Sequence, residues 1–443
     1  MVEATQAVRK RRFSTTWVAW VLFLLLAGYW LHLRWSPSPP PPEPEKVLLY
    51  TLAGGAEELA EMEVWAGDEL RYRLRRTEAG TWGLERPGAL VRVNPDRVRL
   101  MATQGAAFRV DKMVASGGSL SPFGLDRPWL RLVFTTREGQ RAEVLVGGRN
   151  PAGTGYYVMR PDSDEVYFCS DYRVDIFDCS PESLRDRSLV RMDLDQVTWF
   201  RLERADFVLE ATNVDGGWRL LAPYRARGDE YGIRWWLNDL LNLRIGQFVD
   251  DAAEDLEPYG LNSPAVTIML RLGEEELTLR FSPAPEGGYY AHTSREPAVY
   301  LVEGTGLSAL EADAFELVAK RLAEFEPSEA EELVWEGPAG RFRCQRRGKY
   351  WYREDIRLAT ENVQTLLEKL AYLRGEKVAD APQAPQQQWY IRVRTGTGEV
   401  TLRVGRGSEG YWARPGDADV SFAVDRERIE EILRLLDEVA GEE

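Results

Sequence analysis

The chain has two histidines, three cysteines and, although its basic residues number 56, only seven lysines. Each scarcity excludes something. His32 lies in an apolar run near the amino terminus, so a Ser-His-Asp triad could use only His292, and a multi-histidine metal site is ruled out. No Gly-x-Ser-x-Gly, no Ser three residues before a Lys and no His-Glu-x-x-His occurs in the 443 residues. The shortage of lysine against arginine reads as a composition bias. A formal charge of -15 argues against nucleic acid as a partner, because an acidic surface repels phosphate unless it carries a local basic face.

What is present begins with a membrane signature. Arg9-Lys-Arg-Arg12 precedes an uncharged run from Phe13 to Leu33, in which Trp17 to Leu33 as a helix would be roughly 26 Å long, close to the hydrocarbon thickness. Bulky residues follow where a signal peptidase needs small ones, so residues 13–35 read as a retained transmembrane helix. The basic flank, residues 1–12, is expected in the cytoplasm and the carboxy-terminal part across the membrane. This predicts a single-pass membrane protein with a periplasmic or extracytoplasmic body. Residues 36–46 are proline-rich and read as a semi-rigid linker.

Beyond the linker a repeat organises the chain. Phe123-Gly124-Leu125-Asp-Arg-Pro128 recurs as Tyr259-Gly260-Leu261-Asn-Ser-Pro264, 136 residues later. The pattern is a helix stop feeding a strand: the Gly takes a left-handed conformation, the Leu packs back on the turn, and the Pro enforces extension. Leu130, Leu132 and Phe134, like Val266, Ile268 and Leu270, then alternate as in a half-buried strand. Around these hinges the reading is α+β: three tandem, mainly antiparallel β modules with helices, at 47–188, 189–322 and a divergent third at 323–443. Helices are expected at Asn94-Pro95, over Ile233 to Leu241, Leu307 to Leu322 and Val363 to Leu370, and after Asp425. In the third module Ala381-Pro-Gln-Ala-Pro385 keeps the Pro but lacks the aromatic-Gly-Leu, so another turn is expected there.

Four features bear on chemistry. His292 reads as a surface or strand-packing residue. Gly147-Gly-Arg-Asn-Pro-Ala-Gly-Thr-Gly155 lacks the Gly-Lys-Ser/Thr ending of a phosphate loop and reads as a turn. Asp250, Asp251, Glu254 and Asp255 form the densest acid cluster; the bland reading is a solvated turn, the sharp one a carboxylate pair for glycan hydrolysis or calcium. Cys169 and Cys179 are a candidate disulfide, their spacing leaving open whether the Cα atoms come within the roughly 4.4–6.8 Å a bridge needs. No catalytic residue, cofactor or metal ligand is assigned.

Gly217 to Pro223, Tyr259 to Pro264, Gly288 to Tyr290 and Val299 to Val302 together resemble the bacterial family called domain of unknown function 4340. The resemblance extends over most of residues 50 to 440 and rests on turns and strand ends. It implies an anchored envelope protein associated with gliding-motility-type ABC transporter components. The expected function is therefore non-catalytic binding or scaffolding for protein partners in an inner-membrane transporter complex, with a carboxylate-based glycan hydrolase or a glycan or small-ligand binder as alternatives.

Overall fold

The structure, a computed structural model, describes residues 20, 23–30, 47–87, 89–304, 306–379, 387–408 and 410–441. No helix among these is long and apolar enough to cross a membrane. The expected span lies mostly outside them; Trp20 and residues 23–30 are helical. The linker at 36–46 and the Ala381–Pro385 turn also lie outside the described residues.

Two compact units, Met1–Asp186 and Arg187–Glu443, contain three nine-stranded sheets, one in the first and two in the second. Numbered first to ninth along the chain, the strands of each sheet lie in the order 4-3-2-1-6-7-8-9-5, every pair antiparallel. The expected antiparallel α+β class is therefore correct. In the second module the strands are Val197–Arg204, Phe207–Val214, Gly217–Ala222, Ala226–Arg227, Ile245–Asp250, Val266–Leu272, Glu275–Pro283, Tyr289–Thr293 and Glu296–Val302. The helix Glu230–Leu241 connects the fourth to the fifth, hence one edge of the sheet to the other.

Alternation decides which face the helix covers. Phe200, Leu202, Leu209, Ile268, Leu270, Leu279 and Phe281 point one way and are buried, while Ile233, Trp236, Leu237 and Leu240 form the matching stripe on the helix. Phe200 sits at the seam, its ring 4.5 Å from Trp236 and 5.4 Å from Trp218. Side-chain oxygens start three of the long helices: Asn94 accepts from the Asp96 and Arg97 amides, Asp229 from Gly232, and Asp425 from Arg428, whereas Thr360–Ala371 starts at Ala359, which has no side-chain oxygen.

One expected helix is not formed. Leu307 to Leu322 is a 3-10 turn at Leu307–Glu311 and a four-residue helix at Ala314–Leu317, followed by extended chain. Its backbone is needed elsewhere: the Ala319 amide donates to the Arg227 carbonyl at 2.8 Å, the Leu322 amide to Leu373 at 2.9 Å, and the Gly375 amide to Lys320 at 2.8 Å. This connector hydrogen-bonds to both modules of the second unit, whose buried residues form one core from Leu189 to Val439.

Candidate functional site

Both hinges adopt the geometry their sequence requires. Gly124 has φ 65° and Gly260 has φ 70°, each closing a 3-10 turn, and the Leu125 and Leu261 amides donate back to Leu120 and Leu256 at 3.2 and 3.1 Å. Leu125 and Leu261 are buried. The hinge aromatic finds the second Tyr of the Gly-x-Tyr or Gly-Tyr-Tyr strand: Phe123 meets Tyr157 edge-on at 5.0 Å, and Tyr259 meets Tyr290 at 5.4 Å. Each hinge thus closes over the sheet face that the helix leaves open. In the first module this makes a small second core of Leu125, Met159 and Val166.

What lies beneath the two hinges differs. A Cβ on Gly124 would fall 2.8 Å from the Gly148 backbone nitrogen, and one on Gly147 would fall 2.3 Å from the Phe123 carbonyl oxygen. Gly147 and Gly148 are therefore the seat of the hinge. They have no phosphate role to explain, and the loop after them is held by Asn150, whose side chain accepts from the Thr154 amide at 2.8 Å. In the second module Ser282 takes the place of Gly147, and its hydroxyl donates to the Gly260 carbonyl at 2.8 Å.

The acid cluster resolves into turn chemistry. Asp250 accepts from the Ala252 amide at 2.9 Å and the Tyr259 hydroxyl at 3.2 Å, and Asp255 accepts from the Glu257 amide at 2.9 Å. Burial and the Asp250 carboxylate beside it push the Tyr259 hydroxyl above its ordinary pKa. No group of three His, Cys, Asp or Glu among the described residues is placed to hold a metal. His292 is half-buried on the eighth strand opposite Arg280, and burial together with that guanidinium lowers its pKa from 6.5.

The candidate disulfide is not formed: Cys169 and Cys179 are free. Their thiols point to different partners, Cys169 to the Arg109 carbonyl at 3.6 Å and Cys179 to the Tyr72 hydroxyl at 3.6 Å, with the Tyr172–Asp175 helical turn between them. Burial raises the Cys169 thiol to about 12, which makes it a packing residue.

A site the sequence reading missed lies on the helix Glu230–Leu241. Tyr231 is 88% exposed and Trp235 is 70% exposed, one turn apart on the face opposite the buried stripe. Between them Arg234 donates to Asp195 at 2.8 Å. Beside Tyr231 and Arg234 is a cavity of about 240 Å³ into which Asp195, Asn213 and Glu230 also face. The signal was available: Trp235 stands two residues from Ile233, far around the helix from the apolar stripe. At the same helical positions the first module has Asp96 and Leu100, the third Glu361 and Thr365.

Residues 82–219 and 218–390 each match the sequence profile described as Domain of unknown function (DUF4340), together covering more than half of the chain. The chain belongs to this family. Each DUF4340 match begins at or near the Trp-bearing third strand of one module, Trp82 or Trp218, so the family pattern is offset from the sheets. No curated protein matches. A solved structure, the heme-degrading enzyme ChuS of Escherichia coli O157:H7, aligns at 13% identity over 54% of this chain and 81% of that one, with a TM-score of 0.09, and carries no argument.

Proposed function

We propose that this chain is a non-catalytic, single-span envelope protein of the cytoplasmic membrane, whose modules form a binding and scaffolding arm for an ABC-type, gliding-motility-like complex. The observation that carries the reading is the Tyr231, Arg234 and Trp235 patch. Trp, Tyr and Arg are the residues that dominate protein-interface energetics, and a 70% exposed Trp is far from the burial usual for that side chain. The one core shared by the second and third modules supports it too, since an arm that transmits position must not flex between its modules. Crosslinking and gentle co-purification from membranes should recover transporter subunits with the native chain and lose them with Tyr231→Ala and Trp235→Ala combined. Recovery of monomer alone from the native chain would contradict the proposal.

A second reading, a glycan binder, is favoured by the polar cavity beside Tyr231, where Asp195, Asn213 and Glu230 offer hydroxyl partners next to an aromatic face. Titration with cell-wall oligosaccharides, followed by tryptophan fluorescence, separates the two: saturable quenching that Arg234→Ala abolishes would favour the glycan.

A further inference from the structure

The third module carries an arginine field that its own carboxylates do not neutralise. Strand register places Arg341, Arg343, Arg392, Arg394 and Arg403 on the sheet face away from the helices, together with Glu332, Glu336 and Glu399. Arg343 pairs with the buried Glu332, Arg392 and Arg394 each stand 3.9 Å from that same carboxylate, and Arg392 also pairs with Glu399 at 3.7 Å. Once Glu332 is shared between Arg343 and Arg394, the four arginines Arg341, Arg392, Arg403 and Arg414 are left with two carboxylates, Glu336 and Glu399. Arg341 and Arg403 have no carboxylate within ion-pair distance among the described residues, and Arg403 lies directly opposite Arg414 on the next strand. Like charges facing across strands are destabilising. The first module shows that this is not the fold's requirement: on its corresponding face Arg73 pairs with Glu61, Glu63 and Glu85, Arg75 with Glu61 and Glu85, and Arg131 with Glu143.

We infer that this face docks the acidic segment 250–257 of a second copy of the chain. That segment has five acids in eight residues and no basic one, and Glu254, Asp255 and Glu257 are exposed. The face already binds carboxylate, through Arg343 on Glu332, so its demonstrated chemistry matches the occupant. From the second strand to the eighth the field crosses four strand intervals, about 19 Å, wide enough to meet several carboxylates of a folded acidic turn at once. Since the acidic segment and the basic face belong to different modules, the contact is either reciprocal, closing a two-fold dimer, or head-to-tail, generating chains or a ring.

The test uses the full-length protein in a nonionic detergent, with mass measured by light scattering across concentration. The native chain should self-associate at about 0.05 M salt and dissociate near 0.5 M, as surface charge pairs do. Arg341→Glu with Arg403→Glu, and separately Glu254→Arg with Glu257→Arg, should each weaken association about tenfold or more. Combining all four substitutions in one chain, which reverses both partners, should restore it. None of the four side chains makes an ion pair among the described residues, and unchanged thermal melting checks that each variant folds. A native chain monomeric at low salt overturns the proposal, as does association that ignores both pairs of substitutions. Loss of binding to vesicles of anionic phospholipid in the Arg341→Glu, Arg403→Glu variant, without native self-association, would assign the face to a membrane surface instead.

Discussion

The second and third modules share a strand order, a core and a connector, and they differ where a hinge is expected. In the second, Tyr259-Gly260-Leu261 closes over Ser282 from outside the sheet. In the third, the strand residue at the position of Ser282 is Gly405, and the indole of Trp412 lies over it, so close that a Cβ there would fall 2.2 Å from Trp412 Cζ2. Trp412 is the counterpart of Tyr290 and is 5% exposed. Among the described residues, one large ring from a neighbouring strand thus covers a spot that a separate turn covers in the other modules. The lesson is that the motif serves a packing requirement of the sheet face, and that requirement has more than one solution.

The comparison is broken or sharpened most strongly at the first hinge. Gly124→Val adds backbone strain of about 1–3 kcal/mol to overpacking of about 1–3 kcal/mol, because the Gly148 backbone cannot move aside as a side chain could. A loss of about 4 kcal/mol should lower the melting temperature of the first unit by about 10 °C. Trp412→Ala should cost about 3 kcal/mol by uncovering Gly405. Trp412→Phe is the informative control. It keeps a ring and removes an indole N–H that is buried without a partner among the described residues, so it should recover most of the loss. If Ala and Phe melt alike, Trp412 does not act as the cover.

Gly260 should be more forgiving. Its Cβ would meet only the Ser282 side chain, at 3.4 Å, so Gly260→Ala should cost about 1 kcal/mol, chiefly from its positive φ. Equal melting losses for valine at Gly124 and Gly260 would show that backing plays no part. The sequence alone predicts that equality, since both copies carry the same aromatic-Gly-Leu; only the strand packed beneath distinguishes them.

The smallest effect concerns pH. Burial disfavours the charged form of Glu332, but hydrogen bonds from Gln345 and Arg343 and the nearby arginine charges outweigh it, leaving its pKa below 4.5. A carboxylate with a lowered folded pKa contributes stability that is complete above its unfolded value and lost as pH falls through the folded one. Melting of the second unit should therefore decline below pH 4.5, and Glu332→Gln should flatten that dependence. An unchanged profile in the variant would mean that other carboxylates set it.

Strand alternation, helix stripes, caps and both hinges were legible in the sequence because each depends on neighbours within about ten residues. Strand order was not, since placing Ile245–Asp250 beside Glu296–Val302 depends on pairing about fifty residues apart. For the same reason the unbalanced arginine face stayed hidden: Arg341, Arg392 and Arg403 come together only through register. Leu307 to Leu322 failed as a helix because its backbone is committed to distant strands. Tyr231 and Trp235 are legible, since they stand on the face of the helix opposite the apolar stripe.

The central claim is that the modules supply architecture and that the helix face unique to the second module supplies recognition. A photo-crosslinking amino acid at position 235 in living cells tests it most directly, with position 365 of the third module as the matched control. Adducts with a membrane-complex subunit from 235 and none from 365 are predicted. No adduct from 235, or the same adducts from both positions, would contradict the claim.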